Sequence, residues 1–359
     1  MNKHMLRDLD NQHPQQPGTT MLASLLRRGG VVVLAIVALC VLIGISLLTG
    51  SVPFTSHELW QCMQQHCPSA MQDTVFWQIR VPRVLLAMAA GAGLALCGAL
   101  LQSCTRNPLS DPYLFGIIAG AGLGVTLVTV GGDWLAFDVQ HFAVPLAGFI
   151  GAMLAIGLGL ALSWRLGWQR LDVLVLSGVA VSFFLSAITS LLLYVADPFA
   201  ANRVMFWLMG SLARADYQAL QWITPMLLLT ITLMWACRRQ LDALLLRDDS
   251  ARSLGVAVTQ LRVGLLLLCA ALTAVIVAFC GGIAFVGLMI PHLVRRVTGP
   301  KTAGMILGCS LGGAMFLLLV DTLARSILPD QEIPIGIITS AFGSLFFMLF
   351  MFRRHTASS

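Results

Sequence analysis

Lysine is nearly missing from this 359-residue chain: only Lys3 and Lys301 occur, and neither follows glycine. A phosphate-binding loop ends in Gly-Lys, because the ammonium must reach the phosphates that the backbone cradles. The chain is therefore not built to hold ATP that way. Charged residues of all kinds make up only 11% of positions, which excludes an ordinary soluble domain. Ionisable groups are also missing from the middle of the apolar stretches: Asp321 falls at the outer end of one and His292 near the inner end of another. No intramembrane carboxylate is thus available to couple transport to protons or sodium. A sodium site made of backbone oxygens alone stays open.

Catalytic parts are equally scarce. Gly308-Cys309-Ser310-Leu311-Gly312 matches the G-x-S-x-G nucleophile pattern, but it lies in an apolar stretch where small residues serve close helix packing. His292, the one candidate base in such a stretch, has no evident carboxylate to orient it. No His-Glu-x-x-His pattern occurs, and the seven histidines are scattered, so no metal site is predicted. The chain is expected to be no enzyme.

What is present is apolar: 58% of positions. At about 20 residues per membrane-spanning helix the runs accommodate roughly ten spans, giving an all-α integral membrane protein. They are predicted at 31–48, 83–103, 112–131, 142–164, 172–195, 218–237, 262–282, 283–298, 303–321 and 333–352. Residues 1–28 read as a polar tail, 29–352 as the transmembrane domain and 353–359 as a short second tail. Alternating the spans places every lysine and arginine on the inner side except Arg80, Arg83, Arg203, Arg214 and Arg325, so both termini are expected in the cytoplasm. The net charge of +6 follows from these inner arginines, and no nucleic acid is expected. The outer arginines read two ways. Singly, each can snorkel to headgroups or face a helix C-terminus. Arg80 and Arg83, held together by Val81-Pro82 at the mouth of a span, can also receive carboxylates in bidentate fashion.

The longest charged interruption is the loop 238–262. Asp248 and Asp249 can cap a short helix from Ser250, and Gly255 suits the left-handed position that closes it. Ala251, Leu254 and Val256 then form an apolar patch in need of a partner. A solvated loop with incidental helix signals is the alternative. Gly116, Gly120 and Gly124 repeat every fourth residue, as do Gly91, Ala95 and Ala99, and both sets are expected to be close-packing helix faces. Gly281-Gly282, Pro291 and Pro334-Ile335-Gly336 interrupt spans, where broken helices line a path or serve as hinges. The outer segment 49–81 carries Cys62 and Cys67, which can form a disulfide in an oxidising compartment; free thiols or a metal pair are the alternatives.

Several stretches together resemble the FecCD-type permeases of binding-protein-dependent ABC importers, which serve iron–siderophore, haem and vitamin B12. They are Arg80-Val-Pro-Arg83, Gly98-Ala-Leu-Leu-Gln102, Arg106-Asn-Pro-Leu-Ser-Asp-Pro112, Phe206-Trp-Leu-Met-Gly-Ser-Leu212, Ala251-Arg-Ser-Leu-Gly255, Phe285-Val-Gly-Leu-Met-Ile-Pro-His292, Asp321-Thr-Leu-Ala-Arg325 and Glu332-Ile-Pro-Ile-Gly336. The resemblance implies the type II ABC importer permease fold in a bacterial inner membrane. It implies a homodimer in lipid, with two cytoplasmic ATPase subunits and one periplasmic binding protein. ATP and Mg would be used by the partner, and no cofactor by this chain. By resemblance, Arg80, Arg83 and Arg325 would receive acidic residues of the binding protein, and Asp248, Asp249, Ser250, Ala251, Arg252, Leu254, Gly255 and Val256 would meet the ATPase. Ser182, Ser186, Thr189, Thr339 and Ser344 would face the path. An iron chelate is the default cargo, with vitamin B12 and haem as alternatives.

Overall fold

The computed structural model describes residues 17–50, 52–131, 142–166, 171–328 and 331–356. Residues 39–359 form one compact unit and residues 1–38 another, of which the described part is the beginning of a helix. That helix is α1 (Pro17–Leu48). Two short helices, α2 (Ser56–Met63) and α3 (Ala70–Thr74), and a π-turn over Val75–Arg80 lead into α4 (Val81–Thr105). A 3-10 turn over Pro112–Phe115 precedes α5 (Ile117–Val130), α6 (Ala143–Leu166), α7 (Leu171–Val195), α8 (Pro198–Leu208) and α9 (Tyr217–Ala236). The polar loop holds α10 (Arg238–Leu244) and α11 (Asp248–Ser253), and the chain continues through α12 (Val258–Cys280), α13 (Val286–Thr298), α14 (Thr302–Ser326) and α15 (Ile335–Thr356). No strand occurs among the described residues.

Each predicted span finds a helix, with corrections. Among the described residues seven helices are long and apolar enough to cross a membrane, while α5 and the apolar part of α15 are shorter. The eighth predicted span begins only at Val286 and is a 13-residue helix. The predicted tail is helical from Pro17, a residue whose fixed φ and missing N–H suit the first helical turn. Its first part, 1–16, lies outside the described residues, as do 357–359.

The hub is α4. Its run of Ala, Gly and Leu is apolar on every side, and a helix of that kind belongs inside a bundle; it is buried along most of its length against α9, α12, α13 and α14. Gly91 of α4 and Gly313 of α14 approach so closely that a Cβ on either would overlap the other's carbonyl oxygen. The same holds between α5 and α6 at Gly120 and Gly151. Gly116 departs from the expected face: it sits before α5 at φ +81°, joining the 3-10 turn to the helix.

Two of the three predicted interruptions, after α12 and before α15, meet in one seam, while Pro291 lies inside α13. Ser211 N–H donates to Cys280 O at 2.9 Å, Ile335 N–H to Gly210 O at 3.0 Å and Gly336 N–H to Met209 O at 3.0 Å. The backbone groups freed at these two breaks are thus satisfied by the stretch after α8, as apolar surroundings require.

Candidate functional site

Three groupings gather the candidate residues. At the α4 N-terminal end of the bundle, Arg83 donates through Nε to Asp321 Oδ1 at 2.9 Å and through Nη1 and Nη2 to the two Glu332 oxygens at 2.8 and 2.9 Å. Arg325 Nη2 lies 3.1 Å from Asp321 Oδ2 and donates to Ser46 Oγ at 2.8 Å, while its Nη1 donates to Thr49 O at 3.0 Å. Arg80 donates to the carbonyls of Leu47, Leu48 and Val52 and lies over the Phe54 ring. Two cations therefore face the C-terminal end of α1, where the helix dipole is negative.

The arginine pair expected at the mouth of a span is buried. Arg80 is only 3% exposed and Arg83 6%. The reason is satisfaction of donors: a buried guanidinium has five N–H groups to place, and Asp321, Glu332 and the carbonyls of residues 47–52 receive them. Glu332 alone of the acids reaches the surface, its side chain 45% exposed. Asp321 also pairs with Arg325 of its own helix, and their i,i+4 spacing is the signal for that pairing in the sequence.

At the opposite end of α4 lies the polar loop. Helix α11 closes as expected: Gly255 has φ +79°, its N–H donates to Arg252 O at 2.9 Å, and Val256 N–H donates to Ala251 O at 3.1 Å. That bond pair is the Schellman closure, in which only glycine adopts the left-handed turn without strain. The helix start differs. Arg247 occupies the N-cap position without a side-chain bond, and Asp248 and Asp249 lie in the first turn. Asp248 instead takes Arg262 Nη1 at 3.0 Å, Arg262 Nη2 at 2.8 Å and Arg106 Nη2. One forked guanidinium and a second single contact outcompete a backbone N–H for this carboxylate. The hydrogen bonds and charge of Arg262, joined by the charge of Arg106, hold the Asp248 carboxyl below its ordinary range.

The expected apolar patch is also redrawn. Ala251 is wholly buried, and Val256 packs partly buried against the core. Leu254, 66% exposed, stands out together with Leu245 and Leu246, which the sequence does not single out. Asp249, Ser250 and Arg252 are exposed beside it.

A cavity of about 330 Å³ between α5, α7 and α8 gathers Ser182, Ser186, Thr189 and Ser190 with Tyr113. Ser182 and Thr189 donate to Gly178 O and Leu185 O of their own helix, at 2.8 and 2.9 Å, so toward the cavity these hydroxyls can only accept. Thr339 and Ser344 lie elsewhere: Thr339 is buried and bonded to Gly336 O, and Ser344 is exposed on α15. In the segment 49–81, Cys62 and Cys67 are joined by a disulfide. The G-x-S-x-G stretch lies within α14, with Gly308 against Val294 and Gly312 against Ile290 of α13, which is a packing arrangement. Among the described residues no cluster of metal-ligating side chains occurs.

Residues 37–353 match the model of the FecCD transport family. The chain is 37% identical over 285 residues to the hemin transport system permease protein HmuU of Yersinia pestis, covering 79% of this chain and 85% of that one. It is 34% identical over 330 residues to the molybdate import system permease protein MolB of Haemophilus influenzae, covering 90% and 94%. Among solved structures, an inward-facing conformation of a putative metal-chelate type ABC transporter superposes with a TM-score of 0.78 at 32% identity, covering 90% of this chain and 99% of that one.

Proposed function

The chain belongs to the FecCD transport family as a membrane permease subunit of an ABC transporter, and from that premise we propose that it passes an iron chelate from periplasm to cytoplasm. The observation that carries the cargo class is the cavity beside α7. Its described lining has hydroxyls and apolar groups but no cation, which offers little to a small oxyanion and suits a bulky complex that must not stick. Haem and vitamin B12 share that bulk and are the alternatives. In this reading two copies pair in the membrane with the path between them. The segment 49–81 faces the periplasm, and the termini and the loop 238–262 face the cytoplasm. ATP and Mg belong to the ATPase subunits.

Docking of a binding protein is proposed at the end that holds Arg80, Arg83 and Arg325. Glu332 occupies the Arg83 fork there and is exposed enough to give it up to an incoming carboxylate. Leu254, flanked by Asp249, Ser250 and Arg252, is the proposed seat of the ATPase.

The test is uptake of labelled ferric hydroxamate, hemin and vitamin B12 in a strain lacking this permease and in the complemented strain. Loss of the iron chelate alone supports the proposal. Loss of hemin or vitamin B12 alone replaces the cargo, and loss of none overturns it.

A further inference from the structure

Helix α14 starts without a cap of its own. Lys301 occupies the N-cap position and makes no side-chain bond, although the first N–H groups of a helix need acceptors. Asp242 of α10 supplies one from outside: its Oδ1 accepts from Thr302 N–H at 2.7 Å and from Thr302 Oγ1 at 2.6 Å. A second carboxylate of the same loop, Asp248, holds Arg262 of α12 and Arg106 at the end of α4. Both guanidiniums make one more bond that closes the joint: Arg262 Nε donates to Cys104 O of α4 at 3.0 Å, and Arg106 Nε donates to Leu244 O of α10 at 2.9 Å. The loop is thus fastened to α14 through Asp242 and to α4 and α12 through Asp248. Both α14 and α12 pack on α4 in the bundle, α14 along much of its length.

We propose that Asp242 and Asp248 are positioning residues that carry movement of the ATPase-facing loop into α14, α4 and α12. This rests on the reading of that loop as the ATPase seat. Side chains of α11 alone could not do it: the helix has six residues and buries one of them, Ala251, so a push on Leu254 would tilt it against little apolar surface. Charge-assisted hydrogen bonds are directional and resist such a tilt. The two carboxylates divide the work, Asp242 acting on the start of α14 and Asp248 on the meeting point of α4 and α12.

The test uses the full complex with its ATPase subunit in lipid vesicles. The unpaired cysteines are replaced and Ser186→Cys is introduced, so that ATP-driven change in labelling by a membrane-impermeant maleimide reports movement of α7, with ATP hydrolysis measured on the same vesicles. Combined Asp242→Ala and Asp248→Ala is expected to lower the labelling change per ATP hydrolysed by about tenfold, the size of effect that loss of charge-assisted hydrogen bonds produces. Asp242→Asn, which keeps the accepting oxygen, is expected to restore the part due to Asp242, a rescue that a purely electrostatic role would not give. An unchanged ratio in the double variant overturns the proposal. Where the double variant does not assemble, Arg262→Lys keeps the charge and removes the fork; it should lower the ratio too, and an unchanged ratio again overturns the proposal. An unsubstituted protein that holds no ATPase subunit would sink the reading of the loop itself, and the proposal with it.

Discussion

Asp321 is wholly buried and answers two guanidiniums at once. Removing its charge strands Arg83 and Arg325 with Glu332 as their remaining acid, and breaking a buried ion pair by deleting one partner costs about 3–5 kcal/mol. Asp321→Asn is therefore expected to lower the stability of the detergent-purified permease by that order, read as a loss of thermal midpoint; an unchanged midpoint would show the cluster to be dispensable. Glu332→Gln acts oppositely on function. It weakens the internal claim on the Arg83 fork and should tighten binding-protein docking in a vesicle binding assay, whereas weaker docking would mean that Glu332 itself is the contact. Asp248 gives a pH signature. Its folded carboxyl lies below the unfolded value, so its contribution is complete above the unfolded value and is lost as pH falls through the folded one. The midpoint difference between wild type and Asp248→Ala should hold from about pH 7 to about pH 5 and shrink below about pH 4; a difference that grows on acidification would contradict the ion pair.

At the scale of elements, close approach decides more than polarity. The contact of α4 with α14 turns on Gly91 and Gly313, each lying against the other's carbonyl. Leu at position 313 must push the two helices apart, and overpacking of this kind costs about 1–3 kcal/mol or more. Gly313→Leu should lower the thermal midpoint clearly while Gly157→Leu, where a Cβ meets nothing, should not; equal effects would remove the packing argument. The long helices were legible because an apolar run of spanning length has few other uses. α2, α8 and α10 were not, being too short to show a period apart from their caps. Thr55 with Glu58 does form a reciprocal cap on α2, a signal that the sequence carries and hydropathy hides. The partners of Arg83 were illegible for a different reason: Asp321 and Glu332 lie 238 and 249 residues away along the chain, and nothing local encodes that meeting. The loop was half legible. Gly255 announces its turn, but the engagement of Asp248 by Arg106 and Arg262 depends on how α4 and α12 end.

For the molecule as a whole, the exposed leucines of the polar loop are the proposed point of attachment to the motor. Leu254→Asp should release the ATPase subunit in a co-purification experiment while leaving the permease monodisperse, since Leu254 is 66% exposed and supports little of the fold. Retention of the subunit would move the seat elsewhere on the loop. The seam where α12, α15 and the stretch after α8 meet has another bearing on the whole. Its three bonds join main-chain groups only, at residues 209–211, 280 and 335–336. A joint made of peptide groups does not depend on which side chains surround it, so the residues around it can change in size or charge while its three bonds stay in place.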